Sequence, residues 1–411
     1  MSIKLNKVVI AVCVAAVIVA LLAVNWFTNR EEAPRAAQAD DIKIGIILGF
    51  TGPIESLTPG MAASAELALQ EASESGMLLG GRKVVPVRAD STCVDSAAAT
   101  AAAERLVTAD RVAAIMGADC SGVTTAIANN VAVPNGVVMV SPSATSPALS
   151  TIEDNGFFYR TAPSDARQGQ VLADVLTDRG IANVAVTYTN NDYGKGLAES
   201  FAGAFKAAGG TVAISVAHED GKADYAAEVG ALAASGAQHL AVFGYLDQGG
   251  KGIIQGAVDA DAFGSFILAD GMIGDSLINA IGDDLNGTIG TVPGGADAGK
   301  FLEYAKAGGV DGDGPFRGES YDAAALLMLA IQAAGSSERA DIQAKMMAVA
   351  NAPGEEIAVG ELAKGLQILA DGGDVNYVGA TNVEFNEVGE VFGSYKELEV
   401  KDGKFETVRL R

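Results

Sequence analysis

The sequence predicts an α/β protein with two doubly wound parallel sheets, each covered by helices to form one lobe. The main observation is that, after residue 40, short apolar runs alternate with segments of helical spacing. Strand, helix and strand at this spacing indicate parallel pairing with right-handed crossovers. The second observation is size, because 411 residues with 49% apolar composition are enough for two or three compact units.

Short apolar runs in the first two thirds of the chain are the predicted strands. They occupy residues 42–49, 83–90, 112–118, 137–142, 183–189, 211–217, 239–245 and 265–270. Helical spacing fills most of the gaps, for example in residues 60–76 and in residues 95–110, which begin with an acid. Roughly half of these units fall before residue 162 and half between there and residue 292, so we expect two lobes.

The last part of the chain departs from this alternation. Residues 320–335 and 339–352 have helical spacing, whereas residues 382–410 alternate apolar and polar side chains around two glycine turns, NEVGE and KDGK. That alternation predicts an antiparallel ribbon. A helical stretch followed by a ribbon indicates that the chain returns to the first lobe and then crosses back, so several crossings form a hinge. The expected lobes are residues 40–162 with 293–378, and residues 163–292 with 379–411.

The first 39 residues predict a separate targeting segment. Lys4 and Lys7 precede residues 8–24, where the thiol of Cys13 is the sole polar side chain. A positive flank before an apolar core is typical of an export signal, and AQA at residues 37–39 is a candidate cleavage site. The same run would rise about 26 Å as a helix, nearly enough to span a bilayer, so a retained membrane anchor is the alternative. In both cases we expect a periplasmic location for the rest of the chain.

The balance of charges restricts the possible partners. The chain has 51 acidic and 28 basic residues, which gives a formal net charge of −23 at pH 7. No cluster of lysine and arginine follows the N-terminal segment, so neither nucleic acid nor an anionic membrane surface is an expected partner. His218 and His239 stand apart without metal-ligand spacing, so we expect no metal and no cofactor.

The sequence also argues against an enzyme. The tetrapeptide GDSL at residues 274–277 matches the nucleophile block of a family of lipases and esterases, with Ser276 as the nucleophile. In that family the histidine base comes from late in the chain, yet the last histidine here is His239. No phosphate-binding glycine loop with a lysine occurs either, so we expect no ATP hydrolysis by this chain.

Contrasting side chains follow the strands of the two predicted lobes, where ligands of open parallel sheets bind. After the first-lobe strands come hydroxyls and glycine-flanked amides, in DCSGVTT (119–125) and SPSATSP (141–147). Such donors favour a carboxylate, although an ordinary polar loop is the alternative for the second stretch. After the second-lobe strands come acids and aromatic rings, at Asp192, Tyr193, Tyr245, Asp247 and Asp270. These side chains suit an ammonium group, so the sequence predicts a clamp for a zwitterion.

Six segments together resemble the periplasmic binding proteins for branched-chain amino acids, the substrate-binding components of ATP-driven importers. They are DSTCVDSAAATAAAERLV, IMGADCSGVTTA, VSPSATSPALS, NNDYGKGLAESF, YDAAALLM and VEFNEVGE. The resemblance covers residues 42–410 and implies a type I periplasmic binding fold, two lobes joined by three crossings. It also implies a monomer that binds an amino acid and delivers it to an ABC permease with its ATPase. The alternative is a sensory receptor with the same clamp, retained on its N-terminal anchor.

The resemblance also implies roles for residues of the first lobe. Cys93 and Cys120 would form a disulfide, which an exported location favours. The expected contacts with the ligand carboxylate are the hydroxyls of Ser121 and Thr145 and the main chain around Ser143 and Ala144. Helix capping is the alternative role for the two hydroxyls.

In the second lobe, the resemblance implies contacts from Tyr193 and Tyr245 and an acid on the ligand ammonium group at Asp270. That acid is commonly a glutamate in the family, and capping of the next helix is its alternative role here. Leu57 and Phe316 would line the side-chain pocket. An aromatic ring is usual at the position of Leu57, so the preferred ligand side chain stays open.

Overall fold

A computed structural model describes residues 41–295 and 298–411 of the chain. The predicted export signal or anchor, with its candidate cleavage site, lies outside the described residues. Among the helices that are described, none has the length and apolar character that crossing a membrane requires.

The first lobe is built on a five-stranded parallel sheet with the order β2-β1-β3-β4-β5. Its strands are β1 (Ile42–Leu48), β2 (Val84–Asp90), β3 (Ala114–Gly117), β4 (Met139–Ser141) and β5 (Phe158–Arg160). Its connecting helices are α1 (Thr58–Glu74), α2 (Ser96–Thr108) and α3 (Ser121–Ile127). Strands β3, β4 and β5 are buried at every position, as expected for a parallel sheet that is covered on both faces.

The second lobe is built on a seven-stranded sheet. Five of its strands are parallel: β6 (Asn183–Thr189), β7 (Thr211–His218), β8 (His239–Phe243), β9 (Ser265–Leu268) and β10 (Ile289–Pro293). The antiparallel pair β13 (Tyr395–Lys401) and β14 (Lys404–Leu410) completes the order β14-β13-β10-β9-β8-β6-β7. The helices of this lobe are α4 (Asp165–Asp178), α5 (Asp192–Ala207), α6 (Ala226–Ala233), α7 (Gly249–Asp259) and α8 (Asp275–Ile281).

The segment between β10 and β13 adds helices to the first lobe. It contains α9 (Ala298–Ala307), α10 (Arg317–Ala334), α11 (Arg339–Gln343), α12 (Met346–Ala350) and α13 (Leu362–Ala370). A small parallel sheet of β11 (Glu355–Ala358) and β12 (Val375–Gly379) lies beside them. Helix α10 is buried along most of its length and packs against α1. The chain thus passes between the two sheets after β5, after β10 and after β12, and these are the three crossings of the hinge.

The predicted α/β fold with two parallel-sheet lobes is confirmed, and the structure corrects some details. The predicted helix over residues 339–352 is two short helices, α11 and α12. The ribbon is regular around KDGK, where β13 pairs with β14, but around NEVGE it is reduced to one bridge between Phe385 and Val391. The reason is that this segment bonds to the first sheet instead, since the Arg160 amide donates to the Gly389 carbonyl at 3.0 Å.

The predicted disulfide between Cys93 and Cys120 is present, with the two Cα atoms 5.1 Å apart. It joins the loop after β2 to the residue that precedes α3. Both cysteines are buried, and Cys120 stands directly before Ser121 at the start of α3. The bond therefore fixes the start of α3, where Ser121 stands, which is one of the predicted carboxylate contacts.

Candidate functional site

A small cavity lies between the two lobes, at the carboxyl ends of their strands. Its volume is about 30 Å³, which is room for one or two water molecules. The first lobe lines it with Ile54, Leu57, Met61, Asp119, Cys120, Ser121, Ser143 and Phe316. The second lobe lines it with Tyr193, Tyr245, Asp270 and Gly271. Seven of the nine predicted ligand contacts therefore meet at one place.

Hydrogen bonds between the lobes hold this cleft closed. The Asp247 carboxylate of the second lobe accepts from the Ser56 amide of the first lobe at 2.9 Å. The Asp247 amide donates to the Pro53 carbonyl at 3.0 Å. On another side of the cleft, the Ser146 hydroxyl donates to the Asp192 carbonyl at 3.1 Å. Because the enclosed space is smaller than an amino acid, the lobes have to separate before such a ligand can enter.

On the first-lobe wall, Asp119 is a buried carboxylate whose two oxygens are both occupied. Oδ1 accepts from the Ser91 hydroxyl and the Cys120 amide, both at 2.9 Å, and Oδ2 accepts from the Gly49 amide at 2.5 Å. Burial raises the pKa of Asp119, and these hydrogen bonds lower it in part. We did not predict Asp119 as a site residue, although its position directly after β3 was the available signal. Its bonds tie the ends of β1, β2 and β3 together.

The hydroxyls of Ser121 and Ser143 also belong to the first-lobe wall. Ser121 is buried and its Oγ accepts from the Ser146 amide at 3.1 Å. Since a hydroxyl that accepts one hydrogen bond still has a hydrogen to donate, Ser121 can donate to a ligand oxygen. Ser143 donates its hydroxyl to the Asp119 carbonyl at 3.1 Å. In this closed state Ser121 is thus the better placed of the two to bind an anion.

Two predicted contacts, Ala144 and Thr145, are absent from the lining of the cavity. The Ala144 amide donates to the Ser141 hydroxyl at 3.0 Å, and its carbonyl accepts from Arg160 Nη1 at 3.1 Å. Thr145 is fully buried, and its Oγ1 has no hydrogen-bond partner among the described residues. The loop after β4 therefore presents Ser143 to the cleft and turns the next two residues inward.

On the second-lobe wall, the Asp270 carboxylate is only half occupied. Oδ1 accepts from the Tyr193 hydroxyl at 2.6 Å and from the Gly271 amide at 2.7 Å. Oδ2 is buried and, within the described part of the chain, has no hydrogen-bond partner. The Tyr193 ring stacks on Tyr245, with ring centroids 5.2 Å apart. Burying a carboxylate oxygen without a hydrogen-bond partner costs free energy, so a ligand that donates to this atom would be stabilised.

The electrostatics of this wall favour a positive ligand group. Burial raises the pKa of Asp270 to about 6, while hydrogen bonds from Tyr193 and Gly271 act in the opposite direction. Burial and the Asp270 charge raise the pKa of Tyr193 well above its ordinary value, so its hydroxyl stays a donor. Near neutral pH the wall therefore presents one carboxylate beside two aromatic rings.

Apolar side chains close the remaining side of the cavity. Leu57 and Phe316 are both buried there, together with Ile54 and Met61, which the sequence analysis did not single out. Phe316 precedes α10 with a φ of 60°, a left-handed backbone that is uncommon for an aromatic residue. Strained backbone of this kind is often retained at functional sites. This side of the cavity suits an aliphatic group.

Ser276, which was considered as a nucleophile, and the two histidines do not line this cavity. Ser276 donates its hydroxyl to Asp247 Oδ1 at 2.5 Å, so its partner is a carboxylate of the interlobe contact. His218 bonds Thr187 Oγ1 at 2.8 Å and His239 bonds Ser265 Oγ at 2.7 Å, both beside strands. In residues 41–295 and 298–411, no group of three or more histidine, cysteine and acidic side chains is arranged to hold a metal ion.

Two parallel-sheet lobes that close over a small cavity at their strand ends define the class of type I solute-binding proteins. The chain belongs to the periplasmic binding protein family, whose sequence model matches residues 41–361. It is similar to the Leu/Ile/Val-binding protein BraC3 of Rhizobium johnstonii, with 30% identity over 79% of this chain and 88% of the relative. It is also similar to BasB, a chemotactic signal transduction system substrate-binding protein of Halobacterium salinarum, with 27% identity over 90% of this chain and 89% of BasB.

Solved structures agree with this fold. The leucine-binding protein LivK of Thermotoga maritima superimposes with a TM-score of 0.73 and 25% identity, covering 90% of this chain and 98% of LivK. A solute-binding protein of R. palustris in complex with benzoate superimposes with a TM-score of 0.72. That superposition covers 90% of this chain and 96% of the benzoate-bound protein, and at 18% identity the likeness concerns the fold alone.

Proposed function

We propose that this chain is an extracytoplasmic solute-binding protein that closes its two lobes on a small amino acid. The observation that carries the proposal is Asp270 Oδ2 in the wall of the cleft, a buried acceptor for which the described part of the chain supplies no hydrogen-bond partner. An ammonium group at this atom would donate a charge-assisted hydrogen bond to Oδ2, and the stacked rings of Tyr193 and Tyr245 would lie beside it.

The opposite end of the ligand would meet the first lobe. The Ser121 hydroxyl is the donor proposed for the ligand carboxylate, with Ser143 next to it. The apolar side of the cavity, with Leu57 and Phe316, would receive an aliphatic side chain. The names of relatives such as the Leu/Ile/Val-binding protein support this ligand class.

Binding would act through the equilibrium between open and closed lobes. A ligand that touches Ser121 and Asp270 at once bonds both lobes only when they are closed, so it stabilises the closed form. Interlobe contacts such as the hydrogen bond between Ser56 and Asp247 would further stabilise the closed form, although they do not touch the ligand. The closed shape would be the form that a membrane permease recognises, with a partner ATPase driving import.

A second candidate is a sensory receptor that reports ligand occupancy to a membrane partner. It is favoured by the likeness to the chemotaxis protein BasB, which extends over 90% of this chain. The clamp would work in the same way, and the difference lies in the partner and in the fate of the first 39 residues. Mass spectrometry of the protein isolated from its host would test this, because a mature chain that begins near residue 40 favours shuttling to a permease.

The binding proposal is tested by calorimetry and thermal shift with matched ligands. Leucine, isoleucine, valine and alanine probe the side chain, and isocaproate, which is leucine without its amino group, probes the ammonium contact. We expect one or more of the amino acids to bind and isocaproate to bind at least 100-fold more weakly. Failure of every amino acid to raise the melting temperature, or equal binding of leucine and isocaproate, would contradict the proposal.

A variant of Asp270 tests the proposed contact with the ligand ammonium group. We expect Asp270→Asn to lose most of the affinity, because its neutral amide cannot pair with an ammonium group. Asp284→Asn is the matched control, since Asp284 is exposed in the same lobe. The control should bind like the unmodified protein.

A further inference from the structure

Besides the contact at Asp247, the lobes meet where helix α5 of the second lobe approaches a short 3-10 helix of the first lobe, Pro147–Thr151. Ser146, directly before this short helix, is buried and donates its hydroxyl to the Asp192 carbonyl at the start of α5 at 3.1 Å. Gly196, one turn further along α5, lies against the same place. The proposed ligand contacts make no use of this glycine, although it belongs to the segment NNDYGKG.

The closed form has no room for a side chain at Gly196. A methyl group there would lie 2.9 Å from Pro147 Cδ, 3.2 Å from Ser146 Oγ and 3.8 Å from Pro147 Cγ. Carbon atoms in contact are normally about 3.5–4.0 Å apart, so the methyl group would overlap the proline ring. These nearest atoms all belong to the first lobe. The space that the glycine leaves empty is therefore space between the lobes.

The first-lobe side of this contact is held in place. Pro147 Cδ is part of a ring that is closed on the backbone nitrogen, so no change of rotamer removes it. The Ser146 carbonyl accepts from Arg160 Nη1 at 2.9 Å, and the Ser146 amide donates to Ser121 Oγ at 3.1 Å. The Ser146 hydroxyl also accepts from the Ala148 amide at 3.3 Å. Residues 146–147 therefore present a rigid surface to α5.

Helix α5 is held equally firmly in its own lobe. Asn191 caps the helix and accepts from the amides of Tyr193 and Gly194, both at 3.1 Å. Gly194 packs directly on the end of β6, where an added methyl group would lie 2.3 Å from the Thr189 carbonyl oxygen. The start of α5 therefore has no room to move toward its own sheet. An atom added at Gly196 has to be accommodated by separating the lobes.

The same contact connects the two halves of the proposed ligand site. The Ser121 hydroxyl, the proposed donor to the ligand carboxylate, accepts from the Ser146 amide. The Ser146 hydroxyl reaches across the gap to the Asp192 carbonyl. The next residue, Tyr193, donates to Asp270 Oδ1. The fit of α5 against Ser146 therefore sets how far apart Ser121 and Asp270 stand.

We propose that Gly196 is a positioning residue for lobe closure: because it has no side chain, α5 can settle against Ser146 and Pro147, and only then do both lobes reach the ligand. The inference rests on the proposed function, since it concerns how the ligand site is completed. Glycine inside a helix is less favourable than alanine, so α5 itself gains nothing from Gly196. The contact with the other lobe accounts for it.

Substitutions at Gly196 should weaken ligand binding without weakening the fold. Gly196 lies inside α5 and does not have a left-handed backbone, so alanine and leucine both fit the helix. By calorimetry, we expect Gly196→Ala to lose about tenfold and Gly196→Leu at least about 30-fold in affinity for an amino-acid ligand, because overpacking makes the closed form rarer. Neither variant should unfold at a lower urea concentration than the unmodified protein, because the open form is not strained and both residues favour a helix.

Gly203 in the same helix provides the matched control. It is exposed, and outside its own stretch of helix a methyl group there would meet nothing within 4 Å among the described residues. Gly203→Ala and Gly203→Leu make the same changes in helix propensity but leave the contact between the lobes unchanged. Both should bind the ligand like the unmodified protein.

Hydrogen exchange measures closure without any ligand. The Ser56 amide donates to the Asp247 carboxylate, and the Asp247 amide donates to the Pro53 carbonyl, both across the gap between the lobes. These bonds exist only while the lobes are closed, so exchange at the two amides reports the closed population. In the ligand-free protein, exchange should be at least about 30-fold faster in Gly196→Leu than in Gly203→Leu. If Gly196→Leu does not fold, Gly196→Ala replaces it, with about tenfold expected against Gly203→Ala.

Two results would overturn the proposal. One is equal exchange at the Ser56 and Asp247 amides in the Gly196 variant and its Gly203 control. The other is unfolding of Gly196→Ala at a lower urea concentration than Gly203→Ala, because Gly196 would then support the second lobe itself. If no amino acid bound to the unmodified protein, the proposed function would fail, whereas the exchange experiment would still decide the role of Gly196.

Discussion

Two buried aspartates, Asp119 and Asp270, face the same cavity from opposite lobes, and they differ in how completely they are bonded. Asp119 receives three donors from its own lobe, which occupy both of its oxygens. Asp270 receives two donors on Oδ1 and none on Oδ2 among the described residues. Both acids line the cleft, so position does not distinguish them. We propose that the oxygen without a partner marks Asp270 as the acid that binds the ligand.

The largest effect is expected from Asp270→Ala. We predict a loss of affinity for an amino-acid ligand of at least about 100-fold, about 3 kcal/mol, because the ligand ammonium group would be buried without a partner. Unfolding stability should decrease less than in Asp119→Ala, because Tyr193 and Gly271 lose their acceptor while a costly buried acid is also removed. Calorimetry and urea unfolding measure both quantities. If Asp270→Ala kept its affinity, Asp270 would not be a ligand contact, and its free oxygen would not distinguish it functionally from Asp119.

Asp119→Ala should show the reverse pattern. The Gly49 amide, the Ser91 hydroxyl and the Cys120 amide would lose their common acceptor, so we predict a decrease of about 3 kcal/mol in the free energy of unfolding. Affinity, measured at a temperature where the variant is folded, should change less than in Asp270→Ala. Asp284→Ala controls for the loss of an exposed acid. If Asp119→Ala were fully stable but unable to bind, Asp119 would be a ligand contact.

The pH dependence of ligand affinity should distinguish Asp270 from Asp119. Only the ionised form of Asp270 pairs with an ammonium group, and its pKa is raised to about 6. Affinity should therefore be constant above this value and decrease about tenfold per pH unit below it. Asp119, whose bonds stay within its own lobe, should not contribute to the profile. Calorimetry from pH 8 down to pH 4.5 would test this, and a flat profile would contradict the role of Asp270.

The smallest effect is expected from a contact between the lobes that does not reach the cavity. Asp247→Ala removes the bonds from Ser56 and Ser276, so we predict a threefold to tenfold loss of affinity, about 1 kcal/mol, through a smaller closed population. Small-angle scattering of the ligand-free variant should indicate a more open average shape. Ser276→Ala is the milder companion change. Unchanged affinity together with unchanged scattering would mean that Asp247 does not bias closure.

Much of the architecture could be predicted, because parallel strands buried on both faces read as apolar runs and end at turn residues. Strands β5 and β10 were harder to find. The first has three residues, and the second, IGTVP, contains glycine and proline. The segment around NEVGE alternates like a strand, yet its bonds go to Arg160 across the hinge. A local sequence pattern does not show which distant residue will bond to a segment, so this pairing could not be predicted.

Residue type and spacing, which act locally, were enough to predict most of the strands and helices and the hydroxyls after one set of strands and acids after the other. The pairing of Cys93 with Cys120 came from the family resemblance and the expected exported location. Within the described residues, only the folded chain shows that Asp119 has both oxygens bonded whereas Asp270 has one oxygen without a partner. The folded chain also leaves Thr145 out of the cavity lining, since hydrogen-bond occupancy and burial depend on residues that are remote along the chain.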